Sequence, residues 1–240
     1  MWNNALFIMK HELKRSNWGK LVSVALYLYL GIFSGLIARG MYFSSTGIAD
    51  RSLSAAVDII FLCGISCLGF AMAGEYLTYH RTDFFSRKVQ YMRQLPISIS
   101  ETVGAKYLQM GVTLIAQTLL FFLPFYFIGR ISDLLTFGQS LAFILVWVYF
   151  GACMSVVFAY KELGGTGKSY MRFSLIFTVL LVAASVGIKV LGTGFLELTM
   201  QGAVSFGLWI IVLGAALSAF WIWLWFRLTV NKIRSRSFVR

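Results

Sequence analysis

Residues 107–128 read YLQMGVTLIAQTLLFFLPFYFI, residues 129–138 read GRISDLLTFG, and residues 139–160 read QSLAFILVWVYFGACMSVVFAY. About 20 mostly apolar residues in a helix cross the hydrocarbon core of a bilayer. Neither long run holds a charge, whereas the link between them carries Arg130 and Asp133. Barrel strands alternate apolar and polar residues, and these runs do not. The stretch therefore reads as two membrane helices joined by a short turn, with Pro124 expected to kink the first near its end.

The same pattern recurs outward along the chain. Apolar runs at 21–38, 55–76, 173–191 and 203–226 complete a set of six. The run at 55–76 has Asp58 and Glu75 near its two ends, and that at 173–191 has Lys189. Across 240 residues the apolar fraction is 59% and the charged fraction only 12%. A soluble domain carries about 25% charged residues, so this surface must face lipid. The expectation is an all-α integral membrane protein with six transmembrane helices in one domain, 1–240. No cleavable leader is expected.

Positive charge fixes an expected orientation. Seventeen of the 21 Lys and Arg residues fall on the side that carries both termini. They are Lys10, Lys14, Arg15 and Lys20; Arg81, Arg87, Lys88, Arg93 and Lys106; Lys161, Lys168 and Arg172; and Arg227, Lys232, Arg234, Arg236 and Arg240. Only Arg39, Arg51, Arg130 and Lys189 fall on the other. Cytosolic loops carry the excess of Lys and Arg, which puts both termini in the cytosol of a multi-pass plasma-membrane protein. The formal charge of +12 is then explained by anionic membrane lipids, and nucleic acid is not expected as a partner. Cys63, Cys67 and Cys153 all lie in apolar runs, and Cys63 and Cys67, one helical turn apart, read as packing residues.

Two polar segments have structure of their own. In residues 3–17, preceded by Trp2, the spacing of Trp2, Leu6, Met9 and Leu13 puts one apolar face on a helix. With Lys10, Lys14 and Arg15 beside it, the segment 1–20 reads as an interfacial helix. In the loop 77–106, Phe84, Phe85, Val89, Met92 and Leu95 recur near helical spacing, with Arg87 and Lys88 as a basic side. Pro96 disfavours helix at Leu95 and ends the segment. Ser98 and Glu101 then form a capping box, Ser98 capping and Glu101 reaching back to its N–H. The result is a short amphipathic helix, a break, and a capped helix that runs into the third span. Glu75 could pair with His80 or Arg81 and lock the start of this loop.

The sequence YMRQLPISISETVGAKYL around Leu95, Pro96, Ile97 and Ser98, with Glu101 and Lys106, resembles the first cytoplasmic loop of ABC exporter permeases of the ABC-two (type V exporter-like) family. Glu75 resembles an acidic residue that such permeases carry at that place, and FIMKHELKRSNWGK resembles their connecting helix. The motif covers about a tenth of the chain. The resemblance implies that residues 84–95 form a cytosolic coupling helix between spans two and three. It implies ATPase coupling by Phe84, Phe85, Arg87, Lys88, Tyr91, Met92, Leu95 and Pro96, with Glu75, Ser98 and Glu101 as loop and helix caps. It further implies a dimer with a second permease copy or paralogue, a separate cytosolic ABC ATPase, and an amphipathic cargo such as a peptide, lipid or drug. ATP and Mg would be bound by the partner, and no cofactor or catalytic residue is expected in this chain. The residues 227–240 form a basic cytosolic tail.

Rival readings are a six-span substrate-binding subunit of a vitamin importer and a membrane-embedded enzyme. The first would need a third, membrane-embedded coupling subunit; the second lacks a catalytic constellation. Gly164-Gly-Thr-Gly-Lys-Ser169 resembles a phosphate-binding loop, but Glu162 stands where that pattern needs glycine. His11 and His80, without an acidic cluster, make a poor metal site. Asp58 is expected to be hydrated near an interface. Gly31/Gly35, Gly69/Ala73 and Gly214/Ser218 have the spacing at which helices approach closely, either within one chain or between two.

Overall fold

A helix satisfies its own backbone where water cannot, and helix is the regular structure found throughout; no strand occurs among the described residues. The computed structural model describes residues 2–15, 17–43, 51–70, 72, 76 and 81–236. In chain order these form α1 (Trp2–Arg15), α2 (Asn17–Phe43), α3 (Arg51–Ile59) with a π-helical turn at Ile60–Gly64, and α4 (Phe84–Gln94). Then follow α5 (Ile99–Ile128), α6 (Phe137–Gly164), α7 (Gly167–Val190), α8 (Phe195–Phe206) and α9 (Leu208–Ser235). Five of these, α2, α5, α6, α7 and α9, are long and apolar enough to cross a membrane. The chain is a multi-pass, all-helical protein of membrane type.

Small residues decide which helices meet. A Cβ on Gly31 would lie 2.4 Å from the Phe121 carbonyl oxygen, and one on Gly35 3.3 Å from the Gly129 nitrogen. That pair therefore seats α2 against α5 within one chain. Gly214 does the same for α9 on α6, where the Tyr149 ring occupies the space of a Cβ. Gly69 meets Ser155 of α6, while Ala73 lies outside the described residues. At the centre Phe61 is enclosed by Phe121, Phe122, Phe125, Phe143 and Trp147, with ring centroids 5.0 to 6.1 Å away. Edge-to-face pairs of this kind contribute beyond their buried area. Trp147 also donates its indole N–H to Thr199 Oγ1 at 3.2 Å, which ties α6 to α8.

Two of the six expected runs differ from the structure. The run at 55–76 is not one continuous helix. Its helix stops in turns at Cys67–Gly69, and Gly69 has φ +97°. Irregular backbone at membrane depth is tolerated where protein groups satisfy it. Here Gln117 of α5 accepts from the Gly69 N–H at 3.0 Å and donates to the Phe70 carbonyl at 2.8 Å. Ser155 donates to the Leu68 carbonyl, and Ser23 accepts from the Met72 N–H at 2.8 Å. The run at 203–226 is divided: its first residues close the separate short helix α8, and the long helix starts only after Gly207, at φ +48°.

Asp58 is not hydrated. It is 0% exposed and accepts the backbone N–H groups of Phe195 at 3.0 Å and Leu196 at 2.9 Å. It thus caps α8 from α3, which no local pattern announces. Helix α1 packs on the first turns of α5, and its buried face is the expected one only in part: Met9 is buried and Leu13 half-buried, but Leu6 is exposed. Ala5 and Met9 are buried, whereas Leu6 and Phe7 are exposed. Small Ala5 lets α1 come down on Gly104 of α5, which turns Leu6 and Phe7 outward.

Candidate functional site

The loop expected to carry function holds the short helix α4, and its ends follow local rules. Gln94 is its last residue, and Leu95, before Pro96, is extended at φ −82°, ψ 150°. The capping box then forms as read: Ser98 Oγ accepts from the Glu101 N–H at 3.2 Å, and the Glu101 carboxylate accepts from the Ser98 N–H at 2.9 Å. Asn4 of α1 donates to the same carboxylate at 3.1 Å.

Helix α4 is fastened to five other helices. Asp83, in the left-handed region at φ 44°, precedes it and accepts the Gly167 N–H at 2.7 Å, at the start of α7. A carboxylate there complements the positive end of the helix. Phe85 is 3% exposed, with the Tyr170 ring at 5.2 Å and the Tyr76 ring at 5.8 Å. Val89 is buried among Val103, Leu163, Val230 and Ile233, from α5, α6 and α9. Lys88 pairs with Glu12 of α1 at 2.8 Å. Arg93 donates to the carbonyls of Ile233 at 2.9 Å and Arg236 at 3.0 Å, at the negative end of α9. Arg236 in turn donates to Ser86 Oγ and to the Leu163 carbonyl. Burial lowers the Arg236 pKa from its ordinary value, Asp83 offsets this, and the neighbouring Arg93 adds to it.

These contacts sort the expected coupling residues. Phe85, one of the residues the resemblance implies in coupling, has its ring committed to the chain's own aromatic cluster. Lys88 is likewise committed to Glu12. Phe84, Met92 and Leu95 are half-buried. Arg87 and Pro96 are exposed, and so is Tyr91 at 63%. Arg87 and Tyr91 stand one turn apart on the outward face, and among the described residues neither side chain has a partner. Glu75 and His80 lie outside the described residues.

Below α4 lies a buried ion pair that the sequence did not announce. Lys106 of α5 meets Glu162 of α6 at 2.8 Å, with their side chains 10% and 4% exposed. Tyr76 donates to Glu162 at 3.0 Å and accepts from Lys106 at 3.3 Å. The Phe70 ring lies 5.6 Å from the ammonium. Glu162 is the residue that spoils the glycine pattern of the following loop, and its task is this pair.

Deeper still is an apolar cavity of about 490 Å³, walled by Tyr27 and Leu30 of α2, Ile60 and Cys63 of the π turn, Phe158 of α6 and Tyr170 of α7. Tyr76 and Tyr170 line it and also touch Phe85. Cys63 and Cys67 border this space, rather than serving only as packing. No group of three or more His, Cys, Asp or Glu suited to a metal occurs among the described residues. No family model, curated protein or solved structure matches the chain.

Proposed function

We propose that this protein is the permease subunit of an ATP-driven exporter, working as a dimer with a separate cytosolic ATPase that binds ATP and Mg. In this reading the chain crosses the plasma membrane six times, the broken segment 55–76 being the second crossing, and both termini are cytosolic. Helix α4 is the coupling helix. Its outward face, Arg87 and Tyr91, docks on the ATPase, where an exposed aromatic ring and a guanidinium are the side chains that most often anchor an interface.

The observation that carries the reading is the path from α4 to the cavity. Phe85 is the inner face of α4, and its ring contacts, Tyr170 and Tyr76, are walls of the cavity. A push on α4 is delivered to those walls through close-packed rings, which transmit displacement rather than absorb it. Val89, packed among Val103, Leu163, Val230 and Ile233, and the cap of α9 by Arg93 make α4 move with α5, α6 and α9 rather than slide over them, and the buried pair Lys106–Glu162 ties α5 to α6 beneath it. The apolar cavity suits the non-polar part of an amphipathic cargo.

The test uses the chain co-purified with its ATPase and reconstituted into vesicles, with ATP-dependent transport of an amphipathic dye as readout. Arg87→Glu with Tyr91→Ala is expected to abolish ATPase association and transport without changing thermal stability. Phe85→Ala is expected to keep association and lose transport, because it cuts the path behind the docking face. Arg234→Glu, the same charge change on the exposed end of α9, is expected to leave both intact. Full association and transport by the Arg87 and Tyr91 double variant would refute the docking face.

A further inference from the structure

The Gly-rich run 164–169 bends between α6 and α7, and it closes one side of a second cleft of about 340 Å³ on the basic face of the molecule. Lys161 comes to this cleft from the end of α6, and Lys232 and Arg236 from the end of α9. Thr166 and Ser169 add hydroxyls, and no acidic side chain is among the lining residues described. The absence of a side chain at Gly164 matters here: a Cβ would stand 2.9 Å from Lys232 Cγ. The lysine stem lies against bare backbone and so reaches the same space as Lys161. Two of the first α7 amides already have acceptors, Gly167 N–H in Asp83 and Ser169 N–H in Thr166 Oγ1. The attraction for an anion therefore comes from the side-chain cations.

We propose that this cleft is a phosphate-binding site, with Lys161 and Lys232 as the charges that hold the anion. Arg236 is spoken for by Ser86 and the Leu163 carbonyl; it shapes the wall and adds field.

The aromatic and basic residues around the cleft point to a lipid headgroup as the source of the phosphate. Tyr160 lines it, and its ring packs at 5.0 Å on Trp225. Arg227 lies 5.3 Å over the Trp223 ring. Aromatic rings with one wet end, followed at once by Lys and Arg, mark the level of the headgroups. The Lys161 ammonium sits 5.1 Å from the Phe173 ring, so its stem runs along apolar surface while its charge reaches the cleft, as interfacial lysines do. A nucleotide has little to recommend it: the loop joins two helices rather than a strand and a helix, and Glu162 takes the place of the first glycine.

Delipidated protein is titrated with phosphatidylglycerol and the bound lipid is counted by native mass spectrometry, with inorganic pyrophosphate as the soluble competitor. A lysine beside an anionic headgroup is worth about a fivefold change in binding. Lys161→Gln with Lys232→Gln is expected to weaken retention about 25-fold, and Lys161→Arg with Lys232→Arg to preserve it. Lys10→Gln with Lys14→Gln, which removes equal charge from the interfacial helix α1, is expected to weaken it far less, because no cleft gathers those two charges. If the lipid is held equally by the Gln double while pyrophosphate binding is lost, the phosphate site stands and its source is soluble. If neither probe responds to Lys161 and Lys232, or if the α1 control loses as much, there is no site here, only diffuse attraction of a basic surface.

Discussion

Removing one partner of the Lys106–Glu162 pair should be among the most damaging single changes in this chain. Both side chains are nearly sealed from solvent and meet at 2.8 Å. A surface pair is worth about 1 kcal/mol or less, but stranding a buried charge costs about 3–5 kcal/mol. The two halves should differ. In Glu162→Gln the ammonium keeps the Phe70 ring and the Tyr76 oxygen, and a cation over a ring recovers roughly 0.5–2 kcal/mol. That places the cost near the low end, about 3 kcal/mol. In Lys106→Met the carboxylate keeps, among the described residues, the Tyr76 hydroxyl alone, and the cost should be about 5 kcal/mol. Replacing both, Lys106→Met with Glu162→Met, strands no charge and should cost less than either. For a chain of this size each kcal/mol moves the midpoint by about 2–4 °C. The assay is thermal unfolding in detergent, followed by a thiol-reactive dye on Cys63 and Cys153. Midpoints of the single variants within a few degrees of the wild type, or a double variant as unstable as the sum of the two, would refute the argument.

Asp58→Ala leaves the amides of Phe195 and Leu196 without their acceptor, at a local cost of about 1–3 kcal/mol; hydrogen exchange there should accelerate about 10- to 100-fold, and unchanged exchange would remove Asp58 as the cap of α8. Gly31→Leu should abolish folded protein, since its Cβ would meet the Phe121 carbonyl at 2.4 Å, whereas Gly40→Leu on the same helix meets nothing within 4 Å and should be tolerated; size-exclusion profiles compare the two. Single cysteines at Asp133 and Glu197 should react with an impermeant thiol reagent from outside, and those at Gln90 and Ser169 only after the membrane is opened. Outside labelling at Gln90 would reverse the orientation and with it the docking of α4.

What the sequence made legible was local. Pro96 ending one helix, and Ser98 with Glu101 starting the next, are rules that act within three or four residues, and both hold in the structure. The long apolar runs were equally readable, because length and the absence of charge suffice to define a span. The same criterion failed where it counted residues without weighing glycines. Gly69 and Gly207 each take a positive φ inside an apolar run, and apolarity does not register a backbone turn. What makes the turn at Gly69 tolerable is Gln117, 48 positions later in sequence. A glutamine in the middle of a span is the trace such a device leaves, but only the packing of α5 on that turn tells what it bonds. Asp58 is a parallel case: its partners are main-chain amides 137 and 138 positions away.

The division of α4 into an inner and an outer face shows why the site was less legible than the helix that carries it. Its composition offers three aromatic side chains, Phe84, Phe85 and Tyr91, and two adjacent cations, Arg87 and Lys88. Periodicity puts Phe85 and Val89 together and Arg87 and Tyr91 together, one turn apart in each case. It does not say which pair faces the bundle. That is decided by Glu12 of α1, which takes Lys88, and by the rings of α7 and of the segment before α4, which take Phe85. Once those contacts are made, Arg87 and Tyr91 are left as the exposed charge and ring on the outward face of α4. In the proposed exporter, the residues that would meet the ATPase, Arg87 and Tyr91, are thus different ones from the residue that touches the cavity wall, Phe85. Tyr91→Ala and Phe85→Ala should accordingly fail at different steps, the first at association and the second after it.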